Sequence, residues 1–146
     1  MYLAILDELS ELEILTLTIY GEARGEVISG QVAVGCVIRN RKDDRDSYHD
    51  ICLKQYQFSC WNTFDLNYSI LIELAEILHS KRQIANPDYQ QCFWVAQGVI
   101  DNLIKDNTGG AKNYLTVDMF NNNRPRWAKF LKSTPKEIGN QVFFNV

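Results

Sequence analysis

Two carboxylates and a guanidinium stand together in Tyr20-Gly21-Glu22-Ala23-Arg24-Gly25-Glu26, and acids held near the end of a helix are the raw material of general acid–base chemistry. Upstream, Ser10 followed three residues later by Glu13 is a capping-box pair, and Leu12, Leu15, Leu17, Ile19 and Ala23 supply apolar positions at helical spacing. Glu22 is therefore expected in the last turn of a helix beside apolar side chains, with Gly21 and Gly25 leaving the backbone around it uncrowded. A carboxyl half-buried there is expected to have a raised pKa and to keep its proton near neutral pH, as a general acid must. The competing reading is a helix-terminal carboxylate paired with Arg24 or Arg39. Glu26 is either a second reacting carboxylate or the first-turn acid of the next helix, which suits the macrodipole and is the preferred role. Asp65 is a rival acid or base. Tyr20 either orients the acid or packs beneath it.

The elements that must position these groups are mainly helical. Periodicity predicts helices over 10–24, 29–42, 69–82 and 87–105, with a short helical turn over 48–53. Asn86 before Pro87 is a good N-cap and first-position pair, and Asp106-Asn107-Thr108-Gly109-Gly110 ends the last long helix. Ile70, Leu71, Leu74, Ile77 and Leu78 make one apolar face, and Phe93, Trp94, Ala96, Val99, Ile100, Leu103 and Ile104 another; both read as core. After Gly110 aromatic residues and turns take over, and 137–144 reads as a short β-hairpin turning on Gly139-Asn140. The fold class expected is mainly helical α+β, a helical lobe with a small β-hairpin and a groove between them.

At 146 residues with 46% hydrophobic content, residues 1–146 are expected to form one domain, with no separate binding module. The formal charge of −3 argues against a nucleic-acid partner. The charge is uneven, however. Arg39, Arg41, Lys42 and Arg45 are offset by Asp43, Asp44 and Asp46, whereas Arg124, Arg126, Lys129, Lys132 and Lys136 make the C-terminal stretch basic. That stretch faces either an anionic polymer or simply solvent. Cys36, Cys52, Cys60 and Cys92 form no CxxC, and His49 and His79 stand alone, so neither a metal nor a cofactor is expected. Cys52 and Cys60 are near enough in sequence to pair in an oxidising compartment. The N-terminus, Met1-Tyr2-Leu3-Ala4-Ile5-Leu6-Asp7-Glu8, lacks a basic region and turns acidic quickly, which predicts cytoplasmic synthesis without a signal peptide. No apolar run is long enough to insert stably in a membrane. A monomer is expected.

Beyond YGEARGE, the chain continues with Gly30-Gln31-Val32-Ala33-Val34-Gly35, Arg39-Asn40-Arg41, Gln57-Phe58-Ser59-Cys60-Trp61, Gly109-Gly110-Ala111-Lys112-Asn113-Tyr114, Trp127-Ala128-Lys129 and Ile138-Gly139-Asn140. In this order and at these intervals the blocks resemble the SleB/CwlJ-type cell wall hydrolases, whose best-known members degrade spore-cortex peptidoglycan and whose other members include phage lysins. The resemblance spans 15–144 and is most specific at YGEARGE followed by GQVAV. It implies a fold related to lysozyme and lytic transglycosylases, the glycan strands of peptidoglycan as partner, and the first Glu of the motif, Glu22, as catalytic acid.

The resemblance also places Gln57, Ser59 and Trp61 at the border of a glycan cleft and Tyr114 on its far side. Gln and Ser side chains can hydrogen-bond N-acetyl and hydroxyl groups, and aromatic rings can stack on sugars. Phe58 is the better core candidate, Trp61 is either core or sugar platform, and Trp127 either stacks on a saccharide or anchors an irregular loop. Glycoside cleavage usually takes two carboxylates, but a lytic transglycosylase manages with one, and no second acid stands out beside Glu22. The resemblance points the same way, since well-known members of that family act as lytic transglycosylases, and transglycosylation is expected over hydrolysis. Many members carry His where this chain has Asn113 and Gln141, which leaves the proposed acid untouched. A one-domain enzyme without a signal reads as a phage-type lysin that reaches the wall with help, for example through a holin. The competing functional readings are a wall-binding protein that has lost activity and a small helical interaction protein.

Overall fold

The computed structural model describes residues 4–146, so Met1-Tyr2-Leu3 of the N-terminal reading lie outside the described residues. Helix α1 (Ile5–Glu8) is followed by α2 (Glu11–Ala23), which starts at the expected capping box. The Glu13 N–H donates to Ser10 Oγ at 3.0 Å, and the Ser10 N–H donates to Glu13 Oε1 at 2.8 Å. Helix α2 is enclosed on nearly every side: Ile14, Leu15, Leu17 and Ile19 are all fully buried. Its two interior threonines stay satisfied by donating to the carbonyls one turn back, Thr16 to Leu12 at 2.7 Å and Thr18 to Ile14 at 2.8 Å.

Around α2 pack α3 (Ile28–Arg41), α4 (Tyr48–Cys52), α5 (Tyr68–His79) and α6 (Pro87–Ile100). The Asn86 side chain caps α6 by accepting from the Asp88 N–H at 2.8 Å, with Pro87 at the first position as expected. Helix α6 ends at Ile100, five residues before the predicted boundary. Asn102 adopts φ +55°, and the N–H groups of Leu103 and Ile104 both turn back to Gly98 O, at 2.9 and 3.1 Å. The predicted apolar face of α6 needs correction as well. Ala96 and Val99 are buried, but Phe93, Trp94 and Leu103 are 37%, 65% and 79% exposed. On α5, Leu71 and Leu74 are buried as expected, while Ile70 lies at the edge.

A three-stranded antiparallel sheet, in the order β1-β3-β2, completes the fold, which is mainly helical α+β as the sequence indicates. Strands β2 (Lys136–Ile138) and β3 (Gln141–Phe144) form the predicted hairpin, with Gly139 at φ +58° in its turn. Strand β1 (Asn113–Thr116) and helix α7 (Val117–Asn122) are additional. All four residues of β3 are buried because the strand is covered on both faces. Phe143 joins the main helical core, while Val142 and Phe144 join a second cluster with Phe120 and Ala128. Tyr114 is paired with Phe143 and so shares the face turned toward the helices, its ring edge-on to Phe143 at 5.5 Å.

Candidate active site

Glu22 projects from the final turn of α2 and is half-buried. Three groups donate to its carboxylate. The Tyr114 hydroxyl donates to Oε1, the Cys60 backbone N–H donates to Oε2 at 3.0 Å, and Ser59 Oγ approaches Oε2 at 3.4 Å. Each comes from a different part of the chain than Glu22 itself: β1 supplies Tyr114, and the 3₁₀ turn Ser59–Trp61 supplies the other two. Gly21 permits this approach. A Cβ there would lie 2.7 Å from Cys60 Cβ and 2.8 Å from Leu71 Cδ1, so the glycine is required by the closeness of α2 to the 3₁₀ turn. Gly25, by contrast, has open space around its missing Cβ.

Among the described residues neither Arg24 nor Arg39 forms an ion pair with Glu22, and the cation whose charge reaches it is Arg41. Arg41 Nε donates to Lys112 O at 2.7 Å, its Nη1 reaches Gln57 Oε1 at 3.5 Å, and its guanidinium lies 4.9 Å from the Phe58 ring centroid. Burial lowers the Arg41 pKa, and the nearby Tyr114 and Glu22 oppose that shift. Arg24 folds back over the Tyr20 ring at 4.9 Å. Arg39, two residues from Arg41 and thus on the opposite side of α3, donates to Val99 O at 3.2 Å and Ile104 O at 3.0 Å, fastening the end of α6. Asn40, between them, donates to Ala111 O at 2.9 Å and Asp106 Oδ2 at 3.0 Å, holding the loop that leads into β1.

Other anticipated residues separate clearly. Tyr20, offered either to orient the acid, at the substrate, or to pack beneath it, is buried at 5% exposure; its hydroxyl accepts from Asn86 Nδ2 at 3.1 Å and its ring leans on Tyr89, because two residues along a helix turn a side chain away from Glu22. Gln31 is fully buried and donates to Ala23 O at 3.2 Å, tying down the turn that carries the acid. Glu26 accepts from the Asn140 N–H at 3.1 Å and so clasps the β-hairpin turn to the start of α3. Asp65 accepts from the Asn67 N–H at 2.9 Å, ordering the turn before α5. Phe58 is core. Trp127 stacks on Phe144 with centroids 6.0 Å apart, which places it on the sheet face opposite Tyr114 and Glu22.

One concavity opens at the acid and a second lies beyond the 3₁₀ turn. The first is shallow, about 300 Å³, and is lined by Gly21 to Gly25 and Asn67. The second, larger at about 1010 Å³, includes Tyr56, Trp61, Phe64, Asp65 and Tyr68 in its lining and does not contain Glu22. The 3₁₀ turn joins the two regions, since Ser59 and Cys60 hold Glu22 while Trp61 lines the larger concavity. Trp61 is fixed by its Nε1–H, which donates to Thr18 Oγ1 at 3.0 Å. Gln57 and Ser59 are exposed at this edge, whereas Phe58 and Cys60 alternate inward.

Protonation of the buried groups behind the acid has a testable consequence. Burial pushes the thiols of Cys52 and Cys92 up to about 12 and raises those of Cys60 and Cys36; it also raises the phenols of Tyr114 and Tyr89. In the unfolded chain thiols ionise near about 8.5 and phenols near about 10. Above about pH 9 the unfolded state therefore binds fewer protons than the native state, and native stability falls as pH rises. Thermal melts should be flat through neutrality and drop progressively above about pH 9; a melting temperature unchanged to about pH 10.5 would contradict the buried, protonated thiols. All four cysteines are buried and free. Among the described residues, no group of three or more His, Cys, Asp or Glu side chains is placed to hold a metal ion, and no helix is long and apolar enough to cross a membrane.

Sequence reasoning missed Arg41 and the Cys60 N–H as components of the site. Arg41 stood among clustered cations and within the Arg39-Asn40-Arg41 block without a role of its own, and no side-chain identity marks a backbone donor. A family model described as Cell Wall Hydrolase matches residues 25–144, a span that contains Arg41, the 3₁₀ turn and Tyr114 but begins after Glu22. No curated protein and no solved structure matches the chain. With a matched region that takes in most of the fold and every donor around the carboxylate, this chain belongs to the cell wall hydrolase family, the peptidoglycan-degrading enzymes.

Proposed function

We propose that the chain cleaves peptidoglycan glycan strands between N-acetylmuramic acid and N-acetylglucosamine, acting as a lytic transglycosylase with Glu22 as its single acid and base. The observation that carries this reading is the convergence of Tyr114, Cys60 N–H and Ser59 on one carboxylate, while the two rival acids hold backbone elsewhere, Glu26 at Asn140 and Asp65 at Asn67. Glu22 gives its proton to the glycosidic oxygen as the C1–O bond breaks. The donors around it stabilise the carboxylate that this step creates. The N-acetyl group of the muramic acid supports the cationic centre, the sugar's own C6 hydroxyl attacks C1, and Glu22 recovers the proton from that hydroxyl. No water is consumed, and the product is a 1,6-anhydromuramic end. Gln57, Ser59 and Trp61 border the path of the strand, and Arg41 keeps the local field positive beside the developing carboxylate.

A second reading, hydrolysis by a muramidase, is favoured by one observation: Asp65 lines the larger concavity, where it would be the group to activate water. Mass spectrometry of digests of purified peptidoglycan, before and after borohydride reduction, separates the two. Transglycosylation yields muropeptides lighter by one water and resistant to reduction; reducible muramic ends would replace it with hydrolysis, and reducing N-acetylglucosamine ends would overturn both. Absence of soluble glycan fragments from several wall chemotypes would favour a binding-only protein. Synthesis inside the cell and delivery to the wall by a separate component such as a phage holin complete the proposal, with residues 1–146 acting as one catalytic domain.

A further inference from the structure

The stretch Arg126-Trp127-Ala128-Lys129-Phe130-Leu131-Lys132 repeats a cation, an aromatic or large ring, and a small or branched apolar residue every three positions. Its first three residues form a 3₁₀ turn, and Lys129 continues with helical angles. Arg126 and Lys129 align along such a turn; from Phe130 onward the chain is not helical, and burial sorts the apolar, aromatic and cationic residues into separate lines. The apolar line points inward: Ala128 is fully buried and Leu131 packs on the cluster of Phe120, Val142 and Phe144. The Lys132 N–H, donating to Asn145 O at 2.9 Å, pins the far end. The other two lines are left outside. Trp127 is 54% exposed with one ring face on Phe144, Phe130 is 87% exposed, and Arg126, Lys129 and Lys132 are all exposed.

Charge here is segregated as well as exposed. Between 124 and 136 lie five of the chain's fifteen Lys and Arg residues and none of its eighteen acids. Arg124 is occupied, with its guanidinium over the Phe120 ring at 3.7 Å and its Nε donating to Phe120 O at 2.9 Å. Among the described residues the ion pairs are Arg45–Asp43 and His79–Glu8, so no carboxylate neutralises the remaining cations of this stretch. A polyanion in the wall would satisfy those cations but would leave the Phe130 ring in water. A bilayer carrying anionic lipid satisfies both, since phosphates meet the cations and the interfacial layer takes up the rings.

We propose that residues 126–132 form a peripheral docking face for anionic lipid bilayers, independent of glycan cleavage. Cations at such a surface contribute a few-fold each to partitioning, and the rings enter the headgroup region without any segment spanning the membrane. The test is sedimentation of the full chain with phosphatidylglycerol/phosphatidylcholine vesicles against pure phosphatidylcholine vesicles, at low and high salt. Binding should require the anionic lipid, weaken as salt rises, and fall about fivefold for each charge removed in Lys129→Gln and Lys132→Gln. Phe130→Ser should weaken binding with the charge unchanged, and tryptophan emission should shift to the blue on vesicle addition except in Trp127→Leu. These exposed substitutions at 129, 130 and 132 should leave melting temperature and lysis of isolated, bilayer-free sacculi at wild-type levels, so failure here is distinguishable from failure of the glycosidase reading. Binding to neither vesicle, equal binding to both, indifference to Phe130→Ser, or preference for isolated poly(glycerol phosphate) over the anionic vesicles would each overturn the proposal.

Discussion

Glu22→Gln should lower lysis of purified sacculi by at least ~100-fold while leaving the melting temperature close to that of the wild type, because a general acid is worth about 10²–10⁴ in rate and the substitution preserves volume. The amide can still accept from the Cys60 N–H through its oxygen, and its nitrogen can donate to the Tyr114 hydroxyl, which accepts as readily as it donates. Packing around the end of α2 is thus retained while the transferable proton is lost. Turbidity assays and thermal melts on both proteins decide the matter. A variant with wild-type lysis sinks the assignment of Glu22, and a variant that fails to melt cooperatively would shift the test to Glu22→Asp, which keeps an acid but withdraws it from its donors and should lose most of its activity with a normal melt.

Gly21→Ala should harm both stability and activity, although alanine is the better helix former by about 1 kcal/mol. The new methyl would sit 2.7 Å from Cys60 Cβ, an atom fixed to the backbone of the 3₁₀ turn, and 2.8 Å from Leu71 Cδ1, the flexible end of a side chain. Leucine can rotate away; the turn must move. Overpacking of this kind costs about 1–3 kcal/mol, and displacement of the turn draws the Cys60 N–H and Ser59 away from Glu22. The expected result is a melting temperature several degrees lower, together with a fall in turnover larger than the fraction unfolded can explain. If Gly21→Ala were neutral or stabilising, α2 and the 3₁₀ turn would not be locked together as described.

Local chemistry made much of this architecture readable. The Ser10–Glu13 box, the Asn86-Pro87 start and the Gly139-Asn140 turn each act over a few residues, and each appears where the sequence places it. Strand β1 escaped notice because four residues, Asn-Tyr-Leu-Thr, are too short for alternation to register, and the strand exists only through pairing with β3 nearly thirty residues away. Helix α6 was overextended because Leu103 and Ile104 keep the apolar rhythm after the chain has reversed at Asn102. At the site, Glu22 and Tyr114, named from blocks far apart in the sequence, meet in the fold, whereas Tyr20 packs on Asn86 and Tyr89 and Arg39 holds the end of α6. Proximity in sequence to the acid said nothing about azimuth, and two residues along a helix amount to about half a turn.

The consecutive residues Arg39, Asn40 and Arg41 grip three separate pieces of chain: the end of α6, the 106–111 loop and the start of β1. One added or deleted residue within α3 would rotate every later side chain by about 100° and break all three attachments in a single step. A single substitution at 39, 40 or 41 removes one attachment, whereas a change in the length of α3 removes all three. The adjoining segment at 43–47, exposed or half-buried and free of this three-way grip, is where insertions and deletions should accumulate as relatives diverge, so that the spacing from Gln31 to Arg41 becomes a ruler for recognising distant members even after most of the intervening side chains have changed.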